Sequence, residues 1–247
     1  MATTRLRRRV GVLEYIDSTN EILYRAAPMH YHEDFNTQNL GTVVAAGAAV
    51  ASDRWVKKIV SANSSAIYVN WGTDAVENGG IFLSLAVNDE EEEAIVYHND
   101  LLYFSGAQNA VIQMRLLFVT LPTLGGEVVW GMGSAYAKGP DAVTASAWFT
   151  ADGNGLVVCE TDTGATDQTV TSGITVVAGA WHVYRIEFNA GGDTWFFIDG
   201  ARVASSTKFT GPGAAATLQP YFGCYKASTA GLGAILIDYI DIWTDRS

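Results

Sequence analysis

Two strand-like runs decide the fold: Trp181-His182-Val183-Tyr184-Arg185-Ile186-Glu187-Phe188, and Trp195-Phe196-Phe197-Ile198-Asp199-Gly200-Ala201-Arg202-Val203-Ala204. In the first, Tyr184, Ile186 and Phe188 alternate with Val183, Arg185 and Glu187. That period of two is the mark of a half-buried β-strand. Asn189-Ala190-Gly191-Gly192-Asp193 reads as the turn between the runs. Asp199-Gly200 then sits between two strand-like segments. This pair favours a type I′ hairpin, which needs positive φ at both central residues.

The same alternation extends outward. In Val111 to Val119, Ile112, Met114, Leu116 and Phe118 share one face, while Gln113 and Arg115 take the other. Further strands are expected at 54–60, 66–71, 81–87, 94–97, 128–132, 144–149, 156–159, 175–177, 218–225 and 234–243. About a dozen strands imply two packed antiparallel sheets of six or seven. Gly131, Gly133 and Gly139 bracket a loop around Ser134 to Lys138. Residues 1–30 read as an N-terminal basic arm or extension, and 31–247 as one jelly-roll β-sandwich domain.

Composition agrees with a packed all-β chain. Of 247 residues, 49% are hydrophobic and 17% charged, enough apolar matter for a core and too little charge for disorder. The net charge of −11 argues against a nucleic-acid-binding body, since duplex affinity needs cations against phosphate. Arg5, Arg7, Arg8 and Arg9 are the local exception, a frayed tail or an arm that anchors on an acidic partner. Cys159 and Cys224 lack metal-type spacing and read as buried free thiols, with a disulfide left open. Val10-Gly11-Val12-Leu13 is cut short by Glu14, so no secretory signal is expected, and the weakly polar run 41–51 is too short to span a bilayer.

The C-terminal third resembles the concanavalin A-like lectin/glucanase (laminin G-like) superfamily. The resemblance rests on Trp181 to Phe188, Thr194 to Gly200, Leu218-Gln219-Pro220-Tyr221-Phe222 and Ile235 to Ile242. His30-Tyr31-His32-Glu33-Asp34-Phe35 is similar to the early strand that pairs near the closing strand. The resemblance covers roughly residues 31–245 and implies an all-β, two-sheet antiparallel jelly roll with an N-terminal arm. Its motifs specify the architecture, which hosts unrelated activities. A short basic arm on a jelly roll also looks like the virion structural proteins of tailed bacteriophages.

Glucanases of that superfamily carry three acids at alternate positions of one strand, so that two flank a glycosidic bond. The nearest match is Glu160-Thr161-Asp162, but Gly164 and Ala165 follow where a third acid is needed. The segment is expected to be a turn, and no catalytic residue is assigned. Asp238 and Asp241 are three apart, which places them on opposite faces of a regular strand. The resemblance implies a structural Ca²⁺ as an option, with Asp34 and Asp238 as weak ligands; otherwise no cofactor or metal is expected. His30 and His32 share a strand face and could seat a metal, but the sequence nominates no third ligand. The acidic run Asp89 to Glu93 is expected at a solvated hairpin tip. Most of Trp71, Trp130, Trp148, Trp181, Trp195 and Trp243 are expected in the core. Trp130 and Trp148 are singled out as the ones most open to glycan stacking.

Together these features favour a non-enzymatic virion structural protein, such as a capsid decoration or accessory protein. It would be made in a host cytoplasm, displayed on the particle surface and anchored by its arm to capsid or another virion protein, as a homo-oligomer without membrane or nucleic-acid contacts. The alternative is a carbohydrate-binding, lectin-like module or adhesin recognising a surface glycan. A polysaccharide hydrolase or lyase ranks third.

Overall fold

A computed structural model describes residues 5–9, 12–16, 29–35, 49–51, 55–61, 68–71, 79–153 and 155–244; for 5–9, 12–16, 29, 49–51 and 68–71 it describes the backbone only. The strands are β1 (Arg5–Arg9), β2 (Val12–Ile16), β3 (Met29–Glu33), β4 (Ala49–Ala51), β5 (Val56–Ser61), β6 (Tyr68–Trp71), β7 (Ile81–Ser84), β8 (Glu92–Tyr97), β9 (Phe104–Ser105) and β10 (Val111–Thr120). They continue with β11 (Gly126–Gly133), β12 (Ser146–Asp152), β13 (Leu156–Asp162), β14 (Asp167–Thr175), β15 (Trp181–Phe188), β16 (Thr194–Ile198), β17 (Ala201–Val203), β18 (Thr217–Lys226) and β19 (Ala234–Thr244). The helical element among the described residues is a single 3-10 turn, Pro140–Ala142.

The strands form two antiparallel sheets. The smaller runs β17-β16-β15-β10-β19-β7-β6, with β3 also paired to β19, eight strands in all. The larger runs β14-β13-β12-β11-β18-β8-β5-β4, with β9 paired to β18, nine strands in all. Short edge strands raise both counts above six or seven. β1 and β2 pair with each other and with neither sheet. The 30–35 stretch does pair with the closing strand, with His32 opposite Asp241.

Alternation determines which residues enter the core. Ile112, Met114, Leu116 and Phe118 of β10 meet Val128, Trp130 and Met132 of β11 and Ala147 and Phe149 of β12. At the centre, Trp130 lies edge-on to Phe118 at 5.4 Å and to Tyr184 at 5.0 Å between ring centroids. Phe149 packs on Phe196 at 5.1 Å. Each such side chain contributes about 1.5–3 kcal/mol by leaving water. Asp199 (φ 50°) and Gly200 (φ 80°) form the expected turn with two positive φ values. Cys159 and Cys224 are free and buried, and burial pushes the Cys159 thiol up to about 12.

Three expectations change. The acidic run is a solvated tip only in part. Asp89 is exposed, but Glu92 and Glu93 lie on β8 and are fully buried. The Lys226 ammonium, itself fully buried, lies 3.4 Å from Glu92, and Glu92 also accepts from the Ala86 amide at 2.7 Å. Next, the pairing of β10 with β19 shifts between Arg115 and Leu116. Ile237 and Ile240 both enter the core, so Asp238 and Tyr239 form a bulge between them. That extra residue returns Asp238 to the outward face shared with Asp241. Finally, β13 continues through Asp162, so Glu160-Thr161-Asp162 is strand and the turn follows it.

Candidate functional site

The outer face of the nine-stranded sheet carries an unbroken cross-strand row. Tyr97 pairs with Tyr221, Tyr221 with Gly131, Gly131 with Trp148, Trp148 with Glu160 and Glu160 with Thr169. Gly131 has φ of 154°, and a Cβ there would lie 2.6 Å from the Ala147 carbonyl oxygen. Its bare backbone leaves room for the flanking rings, with Trp148 and Tyr221 at 5.7 Å and Tyr97 and Tyr221 stacked at 6.1 Å.

The connection between β11 and β12, residues 134–145, crosses this face as a strap. Tyr136 stacks on Tyr97 at 5.2 Å and donates its hydroxyl to Glu93 at 2.6 Å. The Gly139 amide donates to the other Glu93 oxygen at 2.9 Å. Gln219 donates to the Ser134 carbonyl at 2.8 Å, and Lys138 donates to Glu91 at 2.6 Å. Val143 of the strap packs with Trp148 and Tyr221. Burial raises the Glu93 carboxyl, while the Tyr136 and Gly139 hydrogen bonds and Lys138 and Lys58 act against that rise.

Beside the strap the face is acidic. Burial pushes Glu127 up to about 8, and Asp141, Glu160 and Asp152 add to it. Burial pushes Glu160 up to about 7, reinforced by Asp167, Asp141 and Asp162, although the hydrogen bond from Trp148 opposes the shift. Two half-buried carboxyls therefore hold protons into the neutral range, where each can donate as well as accept. Perturbed carboxyls clustered on one face of a scaffold are a physical pointer to a binding or catalytic region.

The residues singled out in the sequence disperse. Trp130 is fully buried in the core and offers no stacking surface, which corrects that expectation. Trp148 does point to the outer face but is 1% exposed under the strap, so its ring presents no open platform; its indole instead donates to Glu160 at 2.8 Å. Among the tryptophans whose side chains are described, Trp181, Trp195 and Trp243 are half-exposed, on the outer face of the eight-stranded sheet; the Trp71 side chain lies outside the described residues. Parity reveals this, since Trp195 is out of phase with Phe196 and Ile198, and Trp243 with Ile242. There the Arg115 guanidinium lies 4.3 Å from the Trp181 ring centroid. Asp238 is ion-paired with Arg115. Among the described residues no three His, Cys, Asp or Glu side chains already converge as a metal site. The side chains of Arg5, Arg7, Arg8 and Arg9 lie outside what the structure describes; their backbone forms β1.

On β13, Glu160 and Asp162 face outward together, with Val158 before them and Gly164 after. Glu127 lies two strands away on β11, where its partner Asp152 aligns with Leu156, four residues from Glu160. Strand geometry then separates the two backbones by roughly 16 Å.

The sequence matches no protein-family model and no curated protein. Solved structures do match. A protein of unknown function from Shewanella oneidensis is 11% identical, with a TM-score of 0.55 over 87% of this chain and 85% of that one. An immunostimulatory antigen and pseudo-β-1,3-glucanase of Mycobacterium tuberculosis is 15% identical, with a TM-score of 0.51 over 87% and 98%. An endo-β-1,4-glucuronan lyase from Trichoderma reesei is 14% identical, with a TM-score of 0.51 over 74% and 90%. These likenesses establish the fold alone, a two-sheet antiparallel jelly roll.

Proposed function

We propose that the protein is a non-catalytic carbohydrate-binding jelly roll that takes an uncharged polysaccharide on the outer face of its nine-stranded sheet. The observation that carries this reading is the pair of half-buried carboxyls, Glu127 and Glu160, beside the strap. Carboxyl groups that donate and accept suit vicinal sugar hydroxyls. The hydroxyls of exposed Thr169 and Thr171 on β14 extend the same face. Asp141, Asp152, Asp162 and Asp167 would repel a polyuronate, so the favoured ligand is neutral. Binding without cleavage fits the acid arrangement. A glycosidase needs two carboxyls about 5–9.5 Å apart across one bond. Glu160 has Asp162 beside it, but Gly164 stands where a third acid of the strand pattern belongs.

Affinity electrophoresis through gels containing a neutral β-glucan or alginate tests this. Retardation by the glucan alone, weakened in Glu160→Ala, is expected, together with no release of reducing sugar. Release of reducing sugar that Glu160→Gln abolishes would make the protein a hydrolase. Free migration in every neutral glycan gel would remove the proposal.

The virion accessory role is a second reading. It is favoured by β1, whose four arginines lie on a strand that pairs with β2 and with neither large sheet. Co-sedimentation with a phage shell that is lost on removal of residues 1–16 supports it, and no co-sedimentation removes it.

A further inference from the structure

The sequence offers two imidazoles at strand spacing, and the fold supplies a third donor. β3 runs antiparallel to β19, placing His32 opposite Asp241 and His30 opposite Trp243. His32 Nδ1 lies 2.7 Å from Asp241 Oδ1, and His30 Nε2 lies 3.1 Å from the same oxygen. The His30 ring lies flat on Trp243, with centroids 5.2 Å apart and planes 3° from parallel. The two imidazoles are 51% and 50% exposed and the carboxylate 16%, so further coordination positions face solvent.

We propose that His30, His32 and Asp241 form a binding site for a divalent transition metal of the Zn²⁺ class. Two imidazole nitrogens and one carboxylate oxygen suit Zn²⁺, Ni²⁺ or Cu²⁺ better than the oxygen-seeking Ca²⁺ or Mg²⁺. Asp241 Oδ1 now sits between the rings as a shared hydrogen-bond partner, so the three donors do not yet converge on one point. Coordination requires the half-exposed imidazoles to turn about their own side-chain bonds, with no change to the sheet. Asp238, the neighbouring carboxylate of the bulge, is held by Arg115 and does not compete. A bound ion would join β3 to β19, so occupancy favours the folded pairing of these strands by mass action. The site lies on the opposite sheet from the carboxyl face and is independent of the glycan reading.

The test uses the full chain, untagged and stripped of metal, with Zn²⁺ followed by calorimetry at pH 7.5. One ion per chain is expected, with affinity at least tenfold weaker in His32→Ala and in Asp241→Asn. Ni²⁺ should quench tryptophan emission in the wild type through Trp243, and much less in His30→Ala. His182→Ala, which alters a histidine bound to Asp199 instead, should keep wild-type Zn²⁺ affinity. Melting curves with EDTA confirm that each variant is folded, and His32→Gln replaces any that is not. No saturable Zn²⁺ binding, or unchanged affinity in the His32→Ala/Asp241→Asn double variant, would overturn the proposal.

Discussion

The Trp148 indole donates to the Glu160 carboxyl at 2.8 Å, across a directly paired position of β12 and β13. This bond favours the charged carboxylate, yet burial and neighbouring acids still push Glu160 up to about 7. Replacing Trp148 by Phe removes the donor and should raise the Glu160 titration further. Carboxyl NMR of ¹³C-labelled protein measures it. A midpoint that falls in Trp148→Phe would mean that the bond does not set this carboxyl's titration.

Stability should rise on acidification from pH 8.5 to 5.5. Glu127 and Glu160 titrate near 8 and 7 when folded, against 4.5 as the ordinary value. The folded state therefore binds more protons than the unfolded state in that window. The stability these groups contribute is complete below pH 4.5 and is lost as pH climbs through 7 and 8. Allowing for their partial exposure, the gain is on the order of 2 kcal/mol. Urea midpoints measured across the range check it, and Glu127→Gln should flatten the upper part of the profile.

The buried ammonium of Lys226 also donates to the carbonyls of Ala86 and Asn88, at 2.7 and 2.6 Å. Lys226→Met leaves Glu92 charged and buried and should cost about 3–5 kcal/mol. The double variant Lys226→Met/Glu92→Leu should recover part of that loss, as read from denaturant unfolding.

Gly131→Ala should destabilise the protein by about 2–4 kcal/mol, because the added carbon meets backbone that cannot turn aside. It would also lie 2.7 Å from the Trp148 Cα. Thermal melting with near-ultraviolet dichroism of the aromatic row reads both the stability and the local packing.

Much of the sandwich was legible in the sequence. The phase of Ile112, Met114, Leu116 and Phe118, and the Asp199-Gly200 turn, carry over directly because they depend on local alternation and on φ. The bulge at Asp238 was not legible, since a strict period of two cannot register an inserted residue. Glu92 and Glu93 looked solvated because their partners, Lys226 and Tyr136, lie far away in sequence. Glu127 is not legible for the same reason; an isolated acid on a strand becomes unusual only when the fold buries it within the field of Asp141, Glu160 and Asp152. Alternation puts Trp148 on a strand, as observed, but the strap that covers it is a tertiary feature.

Indole NMR of the seven tryptophans tests the glycan-binding face most directly. Adding a neutral β-glucan hexasaccharide should shift the Trp148 Nε1 resonance saturably and leave Trp181, Trp195 and Trp243 in place, while an oligouronate shifts none. Shifts confined to the tryptophans of the eight-stranded sheet, or no shift with any neutral oligosaccharide, would contradict it.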